Sequence, residues 1–185
     1  MSKIFYISDT HFGHNNIIRY DNRPFGSAEE MDKVLIGNWN NVVTDDDTVY
    51  ILGDISWHQE FETKNILNQL NGHKILVKGN HDQVVNKIPY CFDKIANYLE
   101  IKDNGRKVIL SHYPIMFWNN QFHDSIHLYG HVHNSHQWNM MESWIKEAKQ
   151  LQALPMQAYN VGCMMTWMDY TPRTLDEIIN GYKNN

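Results

Sequence analysis

The chain has 185 residues, 42% of them hydrophobic and 20% charged, with a formal net charge of −5; that is long enough for one buried core, and residues 1–185 read as a single domain without a separate cap. No apolar run approaches the roughly 18 residues a membrane span needs, and no lysine- or arginine-rich stripe is visible, which argues against a long nucleic acid as partner. Cys91 and Cys163 match neither a CxxC nor a zinc-knuckle spacing, which argues against a disulfide scaffold and, with no signal-like N-terminus, leaves a cytoplasmic protein as the expectation.

In chain order, Lys3 to Ser8 is a β-rich apolar run. Ser27 followed by Glu30 predicts a helix start, and Met31, Val34, Leu35, Trp39 and Val42 recur at helical spacing. The acidic turn Asp45-Asp46-Asp47 leads into a strand from Thr48 to Leu52. A second helix runs from about Glu60 to Leu70 and ends at Asn71-Gly72; Lys74 to Lys78 is the next strand. Asp103-Asn104-Gly105 separates Ile95–Lys102 from Arg106–Ser111, a hairpin signal. A short strand at Ile126–Tyr129, a helix at Met140–Leu151 and a strand at Ala158–Val161 follow. Thr174 and Glu177 cap a terminal helix with Leu175, Ile178, Ile179 and Tyr182 on its apolar face. Strand–helix alternation followed by a hairpin predicts a mixed α/β layered fold.

Eleven histidines are a large number for this length, and their placement carries the argument. Asp9 and His11 follow FYIS, Asp54 follows VYILG, Asn80 and His81 follow KILVKG, His112 follows VILS, and His131 and His133 follow IHLYG. Sites in α/β sheets gather at the carboxyl ends of strands, so five strand ends would deliver these side chains to one rim if the strands are neighbours. Asp9 and His11 are two apart, as are His131 and His133; in extended chain such pairs point to one side. Glycines at 53, 79 and 130 precede three of the positions and permit the close turns a crowded site needs. Any one of these residues alone reads equally well as a cap or a surface histidine; five strand ends together read as a metal site.

The set D-T-H (Asp9–His11), G-D (Gly53–Asp54), G-N-H-D (Gly79–Asp82), S-H-Y-P (Ser111–Pro114) and G-H-V-H (Gly130–His133) resembles the calcineurin-like metallophosphoesterase superfamily, in the family's order and over about the first 135 residues. The start D-T-H-F-G-H looks like a small bacterial or phage branch. The resemblance implies an α/β (α+β) fold, a two-sheet sandwich flanked by helices in four layers. It implies that Asp9, His11 and His133 hold one metal, that Asn80, His112 and His131 hold a second, and that Asp54 bridges both. It gives His81 the role of general acid, with Asp82 as the group that would orient it.

The donor set suits Mn²⁺ first, with Fe, Zn²⁺ or Ni²⁺ as other candidates, better than an all-oxygen calcium site. Two such ions would let an acidic chain bind phosphate locally. The expected reaction is in-line attack of a metal-bridging hydroxide on a phosphate ester, with a small phosphodiester favoured over a monoester. A monoesterase or nucleotide phosphatase on the same site is one alternative; a metal-binding scaffold without catalysis is another, disfavoured because the ligands and His81 are all present. His14 and Arg23 are candidate substrate contacts, Arg23 by forking onto phosphate. Trp57, His58, Met116, Phe117 and Trp118 could wall a pocket, although such runs more often pack a core or loop. His73, His123, His127 and His136 read as surface or hairpin residues.

Overall fold

In the computed structural model, which describes residues 2–152 and 156–184, the first half of the chain builds β1 (Ile4–Ile7), β2 (Thr48–Ile51), β3 (His73–Val77) and β4 (Lys94–Ala96). They form one sheet in that order, and each neighbouring pair is parallel. Parallel neighbours need long crossovers. Helices α1 (Asn15–Tyr20) and α2 (Ala28–Val42) make the first, and α3 (Glu60–Leu67) makes the second. The second sheet holds β5 (Tyr98–Asp103), β6 (Arg106–Ser111), β7 (Ile126–Tyr129) and β8 (Gln157–Asn160) in sequence order. Only β5–β6 is antiparallel; β6–β7 and β7–β8 are parallel.

The hairpin forms where its turn chemistry points. Asn104 and Gly105 take φ of 48° and 81°, and Asp103 pairs with Arg106. Positive φ at both central residues matches the twist of the flanking strands. The single strand expected over Ile95–Lys102, however, is two. Lys94–Ala96 pairs with β3, and Tyr98–Asp103 pairs with β6. The chain passes from one sheet to the other at Asn97, a break that local β-propensity does not register.

Alternation along the strands sets the layers. Ile7, Ile51 and Leu76, in register across the first sheet, join Val108, Leu110, Ile126 and Leu128 from the second in one buried cluster. Ile109 and Tyr129 point the opposite way, into a second cluster with Met141, Ile145 and Ala148 of α4 (His136–Gln152). Both faces of the second sheet are therefore covered, which is why β7 is buried at all four positions. On the other side, Met31, Leu35 and Trp39 of α2 join the main core. Val34, expected on the same face, is 37% exposed.

Capping follows the sequence signals with one variation. Thr174 and Glu177 exchange both bonds of a capping box at the start of α5 (Leu175–Lys183), which packs against β1 and β8. Ser27 accepts from the Glu30 N–H, while the Glu30 carboxylate reaches past Ser27 to the N–H of Gly26. Helix α1 carried no cap signal in the sequence, and His14 at its N-cap makes no side-chain capping bond. None of the described helices is long and apolar enough to cross a membrane.

Candidate metal centre

The carboxyl ends of β1, β2 and β3 meet those of β6 and β7 along one seam between the sheets. Asp9, His11 and His133 each offer a ligand atom within 4.8 Å of the others, and Asp54, His112 and His131 do the same. Each group draws from both sheets. In the first, the Nε2 atoms of His11 and His133 are 3.3 Å apart, and His133 Nε2 is 3.5 Å from Asp9 Oδ1. In the second, Asn80 Oδ1 lies 3.0 Å from His112 Nε2. Asp54 Oδ2 sits between the groups, 3.8 Å from His11 Nε2 and 3.5 Å from His112 Nε2.

The backbone that delivers these side chains is not extended, as the two-apart spacing had suggested. Asp9, His11, Asp54, His131 and His133 take φ of 56°, 49°, 53°, 68° and 49°. A left-handed residue other than glycine is uncommon, although Asp and His tolerate the region better than most. Each costs about 1–3 kcal/mol and persists where surrounding bonds fix it. Here those bonds are main-chain links between the strand ends: Asp9 N–H to the Gly53 carbonyl, His11 N–H to the Asp54 carbonyl and Ser8 N–H to the Val161 carbonyl. Close approach also needs missing side chains. A Cβ on Gly79 would collide with the Asp54 carboxylate, and one on Gly130 with Ser8 Oγ and the Asp9 carboxylate.

Neighbouring acceptors fix which nitrogen faces the centre. His112 Nδ1 donates to the Leu52 carbonyl at 2.7 Å, and His133 Nδ1 donates to Asp21 at 2.8 Å. With Nδ1 carrying the proton in each, the Nε2 lone pair is left for a cation. The buried Nδ1 of His11 has no hydrogen-bond partner among the described residues. Burial pushes the His11 imidazole down to about 3. Burial alone would raise the Asp9 carboxyl, but the hydrogen bond and charge of His133, with His112 and His11 nearby, hold it well below the usual range. Asp54 is likewise kept ionised against burial, chiefly by His112. For His133, burial is outweighed by Asp21 and Asp9, which raise it to about 10. Two ionised carboxylates among converging imidazole nitrogens fit divalent transition metals.

Several expected residues lie elsewhere than the sequence suggested. Asp82 is fully buried, and its carboxylate accepts the main-chain N–H groups of Asp54, Ile55 and Gly79. It braces the Asp54 turn; the role of orienting His81 is corrected. His81 is exposed, its N–H bonds Asp54 Oδ1 at 2.8 Å, and its ring lies 4.6 Å from the Trp57 indole. Arg23 is not a substrate fork: it is buried, with its donors directed at Asp21, the carbonyls of Asp9 and Thr10, and Met31 Sδ. It straps the first metal loop from behind. His14 stacks on Trp57 at 4.2 Å and 7°, and both line a cleft of about 430 Å³ with His81, Tyr20, His11 and His133 of the first group and Asp54 and His131 of the second.

His58 turns away to bond Asp32 at 2.9 Å. Trp118 is buried and donates to Ser125, whereas Met116 and Phe117 are exposed. His127 is not a surface residue. It is completely buried, donating to the Ile109 carbonyl and accepting the Ile115 N–H, because β7 is covered on both faces. His73, His123 and His136 are exposed as expected. Two residues that sequence reasoning missed support His133: Asp21 at its Nδ1 and Asn160, whose amide donates to the His133 carbonyl at 2.8 Å. Asp21 ends a six-residue helix with no periodicity to read. Asn160 closes an apolar strand, as the ligands do, and that position was its signal.

Residues 2–164 match the family model for calcineurin-like phosphoesterases. The chain is 44% identical over 138 residues to an uncharacterized protein of Methanocaldococcus jannaschii, covering 74% of this chain and 72% of that one. It is 30% identical over 167 residues to the Gene 66 protein of Mycobacterium phage L5, covering 72% of this chain and 79% of that one. A protein of unknown function from Aquifex aeolicus superposes with a TM-score of 0.73 at 29% identity, covering 97% of this chain and 99% of the other. The strand-end ligands, the two-sheet frame and these likenesses converge: the chain belongs to the calcineurin-like phosphoesterase family and is a metal-dependent phosphoric ester hydrolase.

Proposed function

We propose that the protein hydrolyses a small phosphodiester at a pair of divalent transition metals, manganese first among them. Asp9, His11 and His133 would hold one ion, Asn80, His112 and His131 the other, and Asp54 both. The observation that carries this reading is the position of Asp54 Oδ2, 3.8 Å from His11 Nε2 and 3.5 Å from His112 Nε2, between the two groups. When bound, such a pair supplies Lewis-acid charge for the phosphoryl oxygens and a nucleophile at neutral pH.

The chain's own residues supply the rest. Net hydrolysis adds the oxygen of water to phosphorus, breaks the phosphorus–oxygen bond to the leaving group and puts one proton on that oxygen. His81 is the proposed donor of that proton. It stands exposed in the cleft, it belongs to neither ligand group, and its main chain is tied to Asp54. Trp57 and His14 form a stacked wall beside it. An alkoxide leaving group needs that proton in a diester and a monoester alike, so the preference for a small diester rests on the family resemblance. The two free cysteines favour a reducing, cytoplasmic setting.

The test is turnover of bis(4-nitrophenyl) phosphate and 4-nitrophenyl phosphate by protein reconstituted with Mn²⁺, Fe²⁺, Zn²⁺ or Ni²⁺, with metal content measured in parallel. The expected result is up to two ions per chain and faster diester turnover. A folded protein holding well under one ion, or one that turns over only the monoester, would overturn the corresponding part of the reading.

A further inference from the structure

A second cleft, of about 760 Å³, is lined by Asn80 and His112, on the far side of the second ligand group from the cleft that holds His81 and reaches both groups. It shares no lining residue with the cleft that holds His81. No aspartate or glutamate lines it, in a chain with 21 acidic residues. Lys78 does, its Nζ donating to Asn86 Oδ1 at 2.7 Å, which leaves further N–H donors on the ammonium group. Gln83 and Asn97 add amides that can each donate and accept. Tyr98 and Tyr113 present rings that are 41% and 50% exposed, and Tyr113 stands edge-on to His112.

The matching ligand has a flat ring with hydrogen-bonding edges attached to an anion. Volume, the missing carboxylates, the paired amides and the aromatic faces together describe a nucleotide better than a plain anion. A phosphodiester has two substituents and the centre has two separate clefts. The substituent that departs must reach His81. The one that stays on phosphorus is then left to the cleft at Asn80 and His112.

We propose that this cleft binds the retained nucleoside of a phosphodiester, so that a nucleoside monophosphate is the product. The proposal rests on the hydrolytic reading above. The bond broken joins phosphorus to the departing oxygen, the new bond joins it to the oxygen of water, and nothing is oxidised or reduced.

The test is binding of thymidine 5′-monophosphate and of inorganic phosphate to the protein loaded with diamagnetic Zn²⁺, by calorimetry and by NMR of the side-chain amides. The nucleotide is expected to bind at least about tenfold tighter than phosphate. The amide signals of Gln83, Asn86 and Asn97 should shift with the nucleotide and not with phosphate. Lys78→Met, which keeps the aliphatic stem, should narrow the affinity ratio several-fold. Equal affinities, or shifts confined to Asn16 in the other cleft, would overturn the proposal even if the variant failed to fold. Turnover of bis(4-nitrophenyl) phosphate separates the two readings. Turnover without nucleotide preference faults the cleft alone; nucleotide preference with no diester turnover faults the hydrolytic reading and overturns the assignment of a hydrolysis product, leaving only nucleotide binding to the cleft.

Discussion

His81 stands free of both ligand groups with its ring against Trp57, so its removal separates proton donation from metal binding. His81→Ala should leave metal content near wild type and lower kcat by roughly 10²–10⁴-fold for a diester with an alkyl leaving group. The loss should be much smaller for a nitrophenyl leaving group, which departs with little protonation. Equal losses on both substrates would assign His81 to positioning, and loss of metal would make it a ligand. At this scale the sequence was informative for a definite reason. Asp9, Asp54, Asn80, His112 and His131 each follow an apolar run, and a strand end has few places to aim a side chain. Arg23 and Asp82 were misread because the backbone carbonyls that Arg23 bonds beside Asp21 and Met31, and the N–H groups that Asp82 accepts, leave no mark in the sequence. Asp21 was missed because it meets His133 across 112 residues.

Among the elements, the loop after β7 is the most tightly determined. A Cβ on Gly130 would fall on Ser8 and the Asp9 carboxylate, and His131 N–H bonds that same carboxylate. Gly130→Ala should therefore cost about 1–3 kcal/mol through overpacking and displace Asp9 from His133. Thermal unfolding of the metal-free protein and metal titration of the same variant would measure the two effects. Unchanged metal affinity would show that the loop yields without moving the ligands. The helix and strand runs were legible from periodicity and capping pairs. The crossing at Asn97 was not, because strands in different sheets share one local preference, and α1 was too short to show a period.

In the whole molecule, the covering of the second sheet on both faces places His127 in an apolar interior, and burial pushes its imidazole down to about 4 from an ordinary 6.5. The unfolded chain binds this proton below pH 6.5 while the folded chain does not. Stability is thus intact above that pH and falls as the pH drops towards 4, by on the order of 3 kcal/mol from this residue. In metal-free protein, His127→Leu should flatten the urea-unfolding stability between pH 6.5 and 4 relative to wild type, whatever its offset at neutral pH. Parallel profiles for the two proteins would contradict the assignment. The two-sheet sandwich was available in advance only through the family resemblance, and the order of strands in each sheet was not readable, since it depends on contacts between residues far apart in the chain.

Each ligand group takes residues from both sheets: Asp9 and His11 with His133, and Asp54 with His112 and His131. In polymer terms, a bound ion is a reversible cross-link, closing a loop of more than half the chain at the first group and a shorter one at the second, and long loops are the ones whose closure most restricts the unfolded ensemble. The crossing at Asn97 is the natural place to cut that loop. If a protease site is inserted there and the backbone is nicked, the two pieces should stay together while metal is bound and separate more readily once a chelator removes it. Size-exclusion chromatography of the nicked protein with and without chelator would show the difference; equal retention in both would mean that core packing alone holds the halves and that the ions serve chemistry only.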